Sequence, residues 1–191
     1  MTTSAVEIPG YVAGTWTIDD LHSDIGFTVR HMVVAKVRGR FTGVTGSIVT
    51  AADPLESTVT AAIDLATVDT GNADRDAHVR NADFLDVEKH PEMTYASTGL
   101  RRDGDRFVLD GDLTLHGVTR PVPLRVEING FIKDAFRPDS ETALRMGLSA
   151  TGEIARSDFG ITYNAPIPGT GEMGLGEKVQ INLEIEAALD E

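Results

Sequence analysis

Val179-Gln-Ile-Asn-Leu-Glu-Ile-Glu-Ala187 alternates apolar and polar residues without a fault. Successive side chains of a strand point to opposite faces, so Val179, Ile181, Leu183, Ile185 and Ala187 share one side. Gln180, Asn182, Glu184 and Glu186 share the other. That is a β-strand with one buried and one solvated face.

The same pattern recurs back along the chain. Leu144, Met146, Leu148 and Ala150 form one alternating face, and Val122, Leu124, Val126 and Ile128 another. Phe107, Leu109, Leu113 and Leu115 oppose Asp110, Asp112 and His116. Asp103-Gly104 joins that run to Met93–Arg101 as a tight hairpin. Val59, Ala61, Ile63 and Leu65 alternate, as do Ile25, Phe27 and Val29. Val37 to Thr50, rich in Val, Thr and Gly, continues as strand. Pro121 and Pro123 remove two amide donors on one side and predict a barrel rim. About eight strands joined by short turns predict an all-β fold: a closed antiparallel barrel, with a two-sheet sandwich as the alternative. Such a barrel can hold one small ligand or be filled by its own side chains. Residues 1–13 read as a flexible leader and 14–191 as one domain.

At 191 residues the chain suits one domain with a sizeable core. Its formal charge of −13 argues against nonspecific binding to nucleic acid or an anionic membrane, though not against a local basic patch. With no cysteine, disulfides and thiolate chemistry are excluded. The N-terminal residues form no signal peptide, and no apolar run is long enough for a membrane helix. A cytoplasmic protein with no integral membrane association is therefore expected.

One segment breaks the alternation. Asp69 to Pro91 crowds acids, arginines, His78 and His90 around Phe84-Leu85. Asn72 suits a helix N-cap with Asp74 in the first turn, and Asn81 suits a cap for a second turn. Asp76 and Arg80 are spaced to pair along the helix. Ala73 and Ala77 predict its inward stripe, which Phe84 and Leu85 extend. A short helical insertion over about 72–86, capping the barrel, is the preferred reading. The competing one is a catalytic or head-group site built from Asp74, Arg75, Asp76 and His78.

Other constellations carry less chemistry. The five histidines show neither H-E-x-x-H nor a shared helix face, so no metal is expected. No G-x-S-x-G elbow surrounds Ser23, Ser149 or Ser157. Gly169 to Lys178 lacks the Gly-Lys-Ser/Thr ending of a phosphate loop and reads as a flexible loop able to gate a mouth. Arg30, Lys36, Arg38 and Arg40 concentrate positive charge, either as solvated strand-face residues or as a site for an anionic head group.

Several motifs fall together in order: Trp16-Thr-Ile-Asp19, His22-Ser23, Gly26-Phe27, Val29-Arg-His31, Gly39-Arg-Phe-Thr-Gly43 and Arg75-Asp-Ala-His-Val-Arg80. Asp83-Phe84, His90-Pro91, Gly111-Asp-Leu-Thr-Leu-His-Gly117, Thr119-Arg-Pro-Val122 and Arg156-Ser-Asp-Phe-Gly160 follow. From about 14 to 187 the chain resembles the YceI-like family of lipocalin-like, polyisoprenoid-binding proteins. The resemblance implies an eight-stranded lipocalin-like barrel with a helix at its side or mouth. It also implies an elongated apolar pore for a polyisoprenoid, quinone-like molecule or other lipid, and no enzymatic role.

The resulting expectation is a non-catalytic carrier of a long-chain lipid, needing no cofactor, with a homodimer left open. Alternation and aromatic placement nominate Trp16, Phe27, Val29, Phe84, Leu85, Leu113, Leu115, Met146, Leu148 and Phe159 as pore-liners. Arg75, Asp76, His78 and Arg80 would fix the lid. An enzyme using Asp76 and His78, or a stress-related interaction protein with a filled barrel, are the alternatives.

Overall fold

A computed structural model describes residues 8–104, 106–140 and 142–190. Twelve β segments build eight staves. β1 (Gly14–Ile18) and β2 (Asp24–His31) form the first and β3 (Ala35–Phe41) and β4 (Val44–Thr50) the second. β5 (Thr58–Asp64) and β6 (Val68–Asp69) form the third, with β7 (Glu92–Asp103) and β8 (Arg106–Leu115) next. β9 (Val118–Pro121) and β10 (Leu124–Lys133) share one stave, and β11 (Leu144–Ala155) and β12 (Leu175–Leu189) complete the set. Each stave pairs antiparallel with the next in sequence. β12 returns to both β1 and β2, with Trp16 opposite Leu189 and Phe27 opposite Ile181, and closes the ring. The fold is therefore the expected closed eight-stranded antiparallel barrel, and closure leaves no long edge to template aggregation.

The prolines sit elsewhere than expected. Pro121 and Pro123 flank Val122 inside one stave, where the ladder to β8 is interrupted between β9 and β10. Val122, the residue between them, keeps its amide and donates it to Gly111 O at 2.8 Å. Two missing donors are thus absorbed at a mid-barrel irregularity and not at a rim.

The register defines two ends. Gly14, Thr50, Thr58, Lys133 and Leu189 lie at the first; His31, Ala35, Asp69, Leu115 and Leu175 lie at the second. Part of the expected leader belongs to the first end. Residues 1–7 lie outside the described residues, but Tyr11 donates its hydroxyl to Ala51 O at 2.7 Å and packs edge-on against Phe131. An aromatic ring with an apolar body and a satisfied hydroxyl docks where a polar tail would not.

Outside the first end, Arg145 binds Asp19 and Glu186 at 2.6 Å and the buried Asp134 at 3.1 Å. Its hydrogen bond to Asp19 chiefly holds that carboxyl down at about 2, with His22 assisting against the cost of burial. A carboxyl depressed in the folded state stabilises above its unfolded value of 3.8 and loses that contribution as pH falls through the folded value. Thermal unfolding should therefore shift to lower temperature between pH 4 and pH 2 (both approximate), and Asp19→Asn should flatten that dependence. An acid limb as steep in the variant as in the wild type would remove Asp19 from the effect.

Candidate functional site

An elongated cavity of about 520 Å³ runs through the barrel. The inward set of the last strand (Val179, Ile181, Leu183 and Ile185) lines one wall. Leu113 and Leu115 line the cavity toward the second end, and Met146 and Leu148 toward the first. Two glycines make room for rings on this inner surface. A Cβ on Gly39 would overlap the Phe27 ring directly opposite it, and one on Gly111 would overlap Tyr95. Tyr95 spends its hydroxyl on Leu109 O and Val122 O at 3.1 and 3.0 Å. Burial holds that phenol neutral and pushes its pKa well above the usual range.

The ends differ chemically. At the first, Ile8, Tyr11 and Phe131 line the cavity together with Thr50 and Ser57. At the second, His31, Arg75, His78, Arg156 and Asn164 all reach it. Arg156 is nearly fully buried and donates to three backbone carbonyls: Gly176 O at 3.0 Å, Ile161 O at 2.9 Å and Tyr163 O at 2.7 Å. Asn164 brackets Leu175, donating to its carbonyl and accepting its amide. The loop carrying Tyr163 therefore has a defined shape, and Gly174 N closes it onto Ala165 O at 2.8 Å. Gly169 to Lys178, expected as a flexible gate, is divided between the turn of this hydrogen-bonded loop at 169–174, with Pro166 bridging Met173, and the start of β12.

The helical cover stands over this second end. α1 spans Ala73–Arg80, capped by Asn72 accepting from Arg75 N at 2.9 Å. Asn81 ends the helix and accepts from Asp83 N; turns, with no second helix, carry the chain to Pro91. Ala73 and Ala77 are exposed, contrary to expectation. The inward face is instead Asp76 and Val79, because Thr70 satisfies the buried Asp76 carboxylate through its amide at 2.8 Å and hydroxyl at 2.6 Å. These bonds, the hydroxyl's foremost, hold the Asp76 carboxyl below its ordinary value despite the opposing effect of burial.

Arg75 donates to the same Thr70, at Oγ1 and the carbonyl. Arg80 does not pair with Asp76 as its spacing suggests but donates to Ala66 O and Val68 O at 2.9 and 3.0 Å. Backbone carbonyls facing the helix give its fork two fixed acceptors. His78 meets Asp83 at 2.9 Å, and so is not aligned with Asp76.

Of the nominated pore-liners, Phe27, Val29, Phe84, Leu85, Leu113, Leu115, Met146 and Leu148 line the cavity. Trp16 and Phe159 do not. Trp16 lies behind Phe131 at 5.6 Å with its indole N–H given to Thr50 at 2.8 Å, so it supports the first end. Phe159 belongs to a 3-10 turn, Arg156–Phe159, packed against β9, β11 and β12. Tyr163 was missed. With Phe84 and His78 it forms a triangle of edge-on rings 5.0–5.2 Å apart at the cavity's second end. Its signal is weak, a lone tyrosine in a loop before Pro166. Arg156 was flagged only within a motif.

The basic stripe does not reach the cavity. Arg30, Lys36 and Arg38 are exposed on the outer face of the β2–β3 hairpin, and Arg40 pairs with Asp69 at 3.7 Å. Two histidines that the sequence separates come together: His90 and His116 are 4.9 Å apart, with Asp86 near both. That trio, and Asp19 with His22 and Glu186, could hold a divalent ion. In each a protein cation is already in place, Lys89 on Asp86 at 2.7 Å and Arg145 on Asp19 and Glu186.

A closed up-and-down barrel with one internal apolar cavity and a helical cover belongs to the lipocalin-like class. The sequence matches the YceI-like domain over residues 16–187, and the chain belongs to this family. Protein YceI of Escherichia coli O157:H7 is 35% identical over 153 residues, covering 78% of this chain and 78% of that one. The structure of the Campylobacter jejuni YCEI protein superposes with a TM-score of 0.70 at 27% identity, covering 96% of this chain and all of that one. A polyisoprenoid binding domain from Saccharophagus degradans shares the fold with a TM-score of 0.66 at 15% identity, over 94% of this chain and 100% of that domain. No helix among the described residues is long and apolar enough to cross a membrane.

Proposed function

We propose that this protein binds one long apolar amphiphile, a polyisoprenoid, quinone-like or related lipid, as a carrier and not as an enzyme. The tail lies in the barrel and the polar head at the helix end. The observation that carries this reading is the polarity of the cavity: an apolar tube whose cationic and imidazole groups gather at one end. Its volume suits a small-molecule site. Apolar burial at ~25 cal/mol per Å² supplies affinity along the tail, and Arg75, His78 and Arg156 supply donors for the head. The Saccharophagus degradans domain, described as polyisoprenoid-binding, supports the ligand class. A carrier is favoured over an enzyme that uses Asp76 with His78, because Asp76 is engaged by Thr70 and does not line the cavity, while His78 meets Asp83 instead.

In this reading Arg75, Asp76, His78 and Arg80 hold the cover in place and Phe84 and Leu85 press on the ligand. Phe84→Asp should lower affinity for a solubilised prenyl alcohol by about 10- to 100-fold, the worth of one buried aromatic side chain. Phe84 is only half-buried, so cooperative unfolding should survive. Calorimetric titration with unchanged affinity would remove Phe84 from the site.

A further inference from the structure

The turn between β2 and β3 breaks the rules of turn chemistry. It consists of Met32, Val33 and Val34, with Arg30 opposite Lys36 and His31 opposite Ala35. Met32 and Val33 both lie in the left-handed region, at φ 49° and 64°. Glycine or asparagine normally takes such positions, and a β-branched residue there is strained. Val34 N closes onto Met32 O at 2.7 Å, a tight γ-turn about Val33. None of this is compensated by burial: Met32 is 43%, Val33 51% and Val34 87% exposed. A strained turn that holds three apolar side chains in water is a functional candidate.

Its surroundings indicate the partner. Met32 N donates to Gly174 O at 2.8 Å, so the tip is bonded to the loop that forms the cavity's head-group end. Met173 and Tyr163 on that loop are exposed as well, at 46% and 40%. Behind the tip, Arg30, Lys36 and Arg38 project from the outer face of the same hairpin into solvent, and Arg30 also caps Val33 O at 2.9 Å. Three cations thus gather at one place on a chain whose net charge is −13. An apolar tip backed by a cationic collar matches an anionic bilayer: side chains enter below the head groups while lysine and arginine meet them. A protein partner of standard size would cover about 800 Å² on this side, more than five side chains present.

We infer that the Met32–Val34 tip docks the helix-covered end of the barrel on an anionic lipid bilayer, so that the amphiphile passes between membrane and cavity. The inference rests on the carrier reading for its purpose but not for its test. Sedimentation of the full chain with phosphatidylcholine vesicles, with and without phosphatidylglycerol, reads docking directly. Binding should need the anionic lipid and weaken at high salt. Arg38→Gln should lower partitioning about five-fold, the effect of one cation near such a surface.

The triple substitution Met32→Asn, Val33→Gly and Val34→Ser gives the turn residues that suit its backbone. It should keep the melting temperature at or above that of the wild type and abolish vesicle binding. A wild type that stays in the supernatant with anionic vesicles, or a triple variant that pellets like it, would overturn the proposal. So would a wild-type dimer that the triple variant dissolves, which would assign the tip to self-association. Titration of the same proteins with prenyl alcohol, free of vesicles, reports on the cavity separately. The triple variant should bind it as the wild type does.

Discussion

Ala61→Trp should abolish tight binding of a long-chain lipid while leaving the barrel folded. Ala61 lines the cavity midway along β5, between Gly46 on one neighbouring strand and Tyr95 on the other. An indole there enters open volume, so the overpacking that costs about 1–3 kcal/mol in a filled core is largely avoided. It also occupies the course of the chain. A tryptophan covers roughly 150 Å² or more, and that much lost ligand contact at ~25 cal/mol per Å² is about 4 kcal/mol, several hundred-fold in Kd. Calorimetry with a solubilised prenyl lipid checks the affinity, and circular dichroism checks the fold. Retained affinity would place the ligand outside the barrel.

The second large effect falls on stability. Arg156→Leu should cost about 3–5 kcal/mol, because three backbone carbonyls lose a charged donor in a nearly dry site. Glu177 would also lose its neighbour at 4.0 Å. Arg156→Lys should recover only part of this, since one ammonium cannot reproduce a planar fork reaching Gly176, Ile161 and Tyr163 together. Urea unfolding measures both variants. The loss should concentrate in the loop that carries Tyr163 and Asn164, so ligand affinity should fall as well. A leucine variant within about 1 kcal/mol of the wild type would show that the carbonyls find other donors.

These two positions also mark how far the sequence can be read. Ala61 belongs to a period-two face, and such faces were visible from Ile25 to Ala187. The inward set Val179, Ile181, Leu183 and Ile185 emerged directly from alternation, because a strand's geometry leaves no choice of face. Phe84 and Leu85 stood out as apolar residues in a polar segment. Arg156 could not be ranked above the other arginines, since its three acceptors are carbonyls brought together only by the loop's path.

The helix shows a different limit. In eight residues the small side chains of Ala73 and Ala77 suggest the inner face, but Thr70 lies outside the helical repeat and decides that Asp76 points inward. Trp16 was placed on the correct side of its strand yet outside the cavity wall, because Phe131, from a distant strand, stands in front of it. His90 and His116 meet through long-range closure of the cover onto the β8–β9 turn, which local spacing does not report.

The tip at Met32–Val34 was legible in part. Its neighbours Arg30, Lys36 and Arg38 are a visible basic concentration, while a net charge of −13 is unfavourable for anionic membranes in general. A local patch at the mouth is compatible with that reading. What the sequence lacked was the positive φ at Met32 and Val33, which turns an ordinary apolar triplet into a strained one.

The most direct test of a lipid-filled barrel is native mass spectrometry of the freshly purified wild-type protein, followed by extraction and identification of any bound species. The expected result is one long-chain amphiphile per chain, absent from Ala61→Trp prepared in the same way. Protein that emerges ligand-free, and that takes up no prenyl lipid on titration, would contradict the carrier reading.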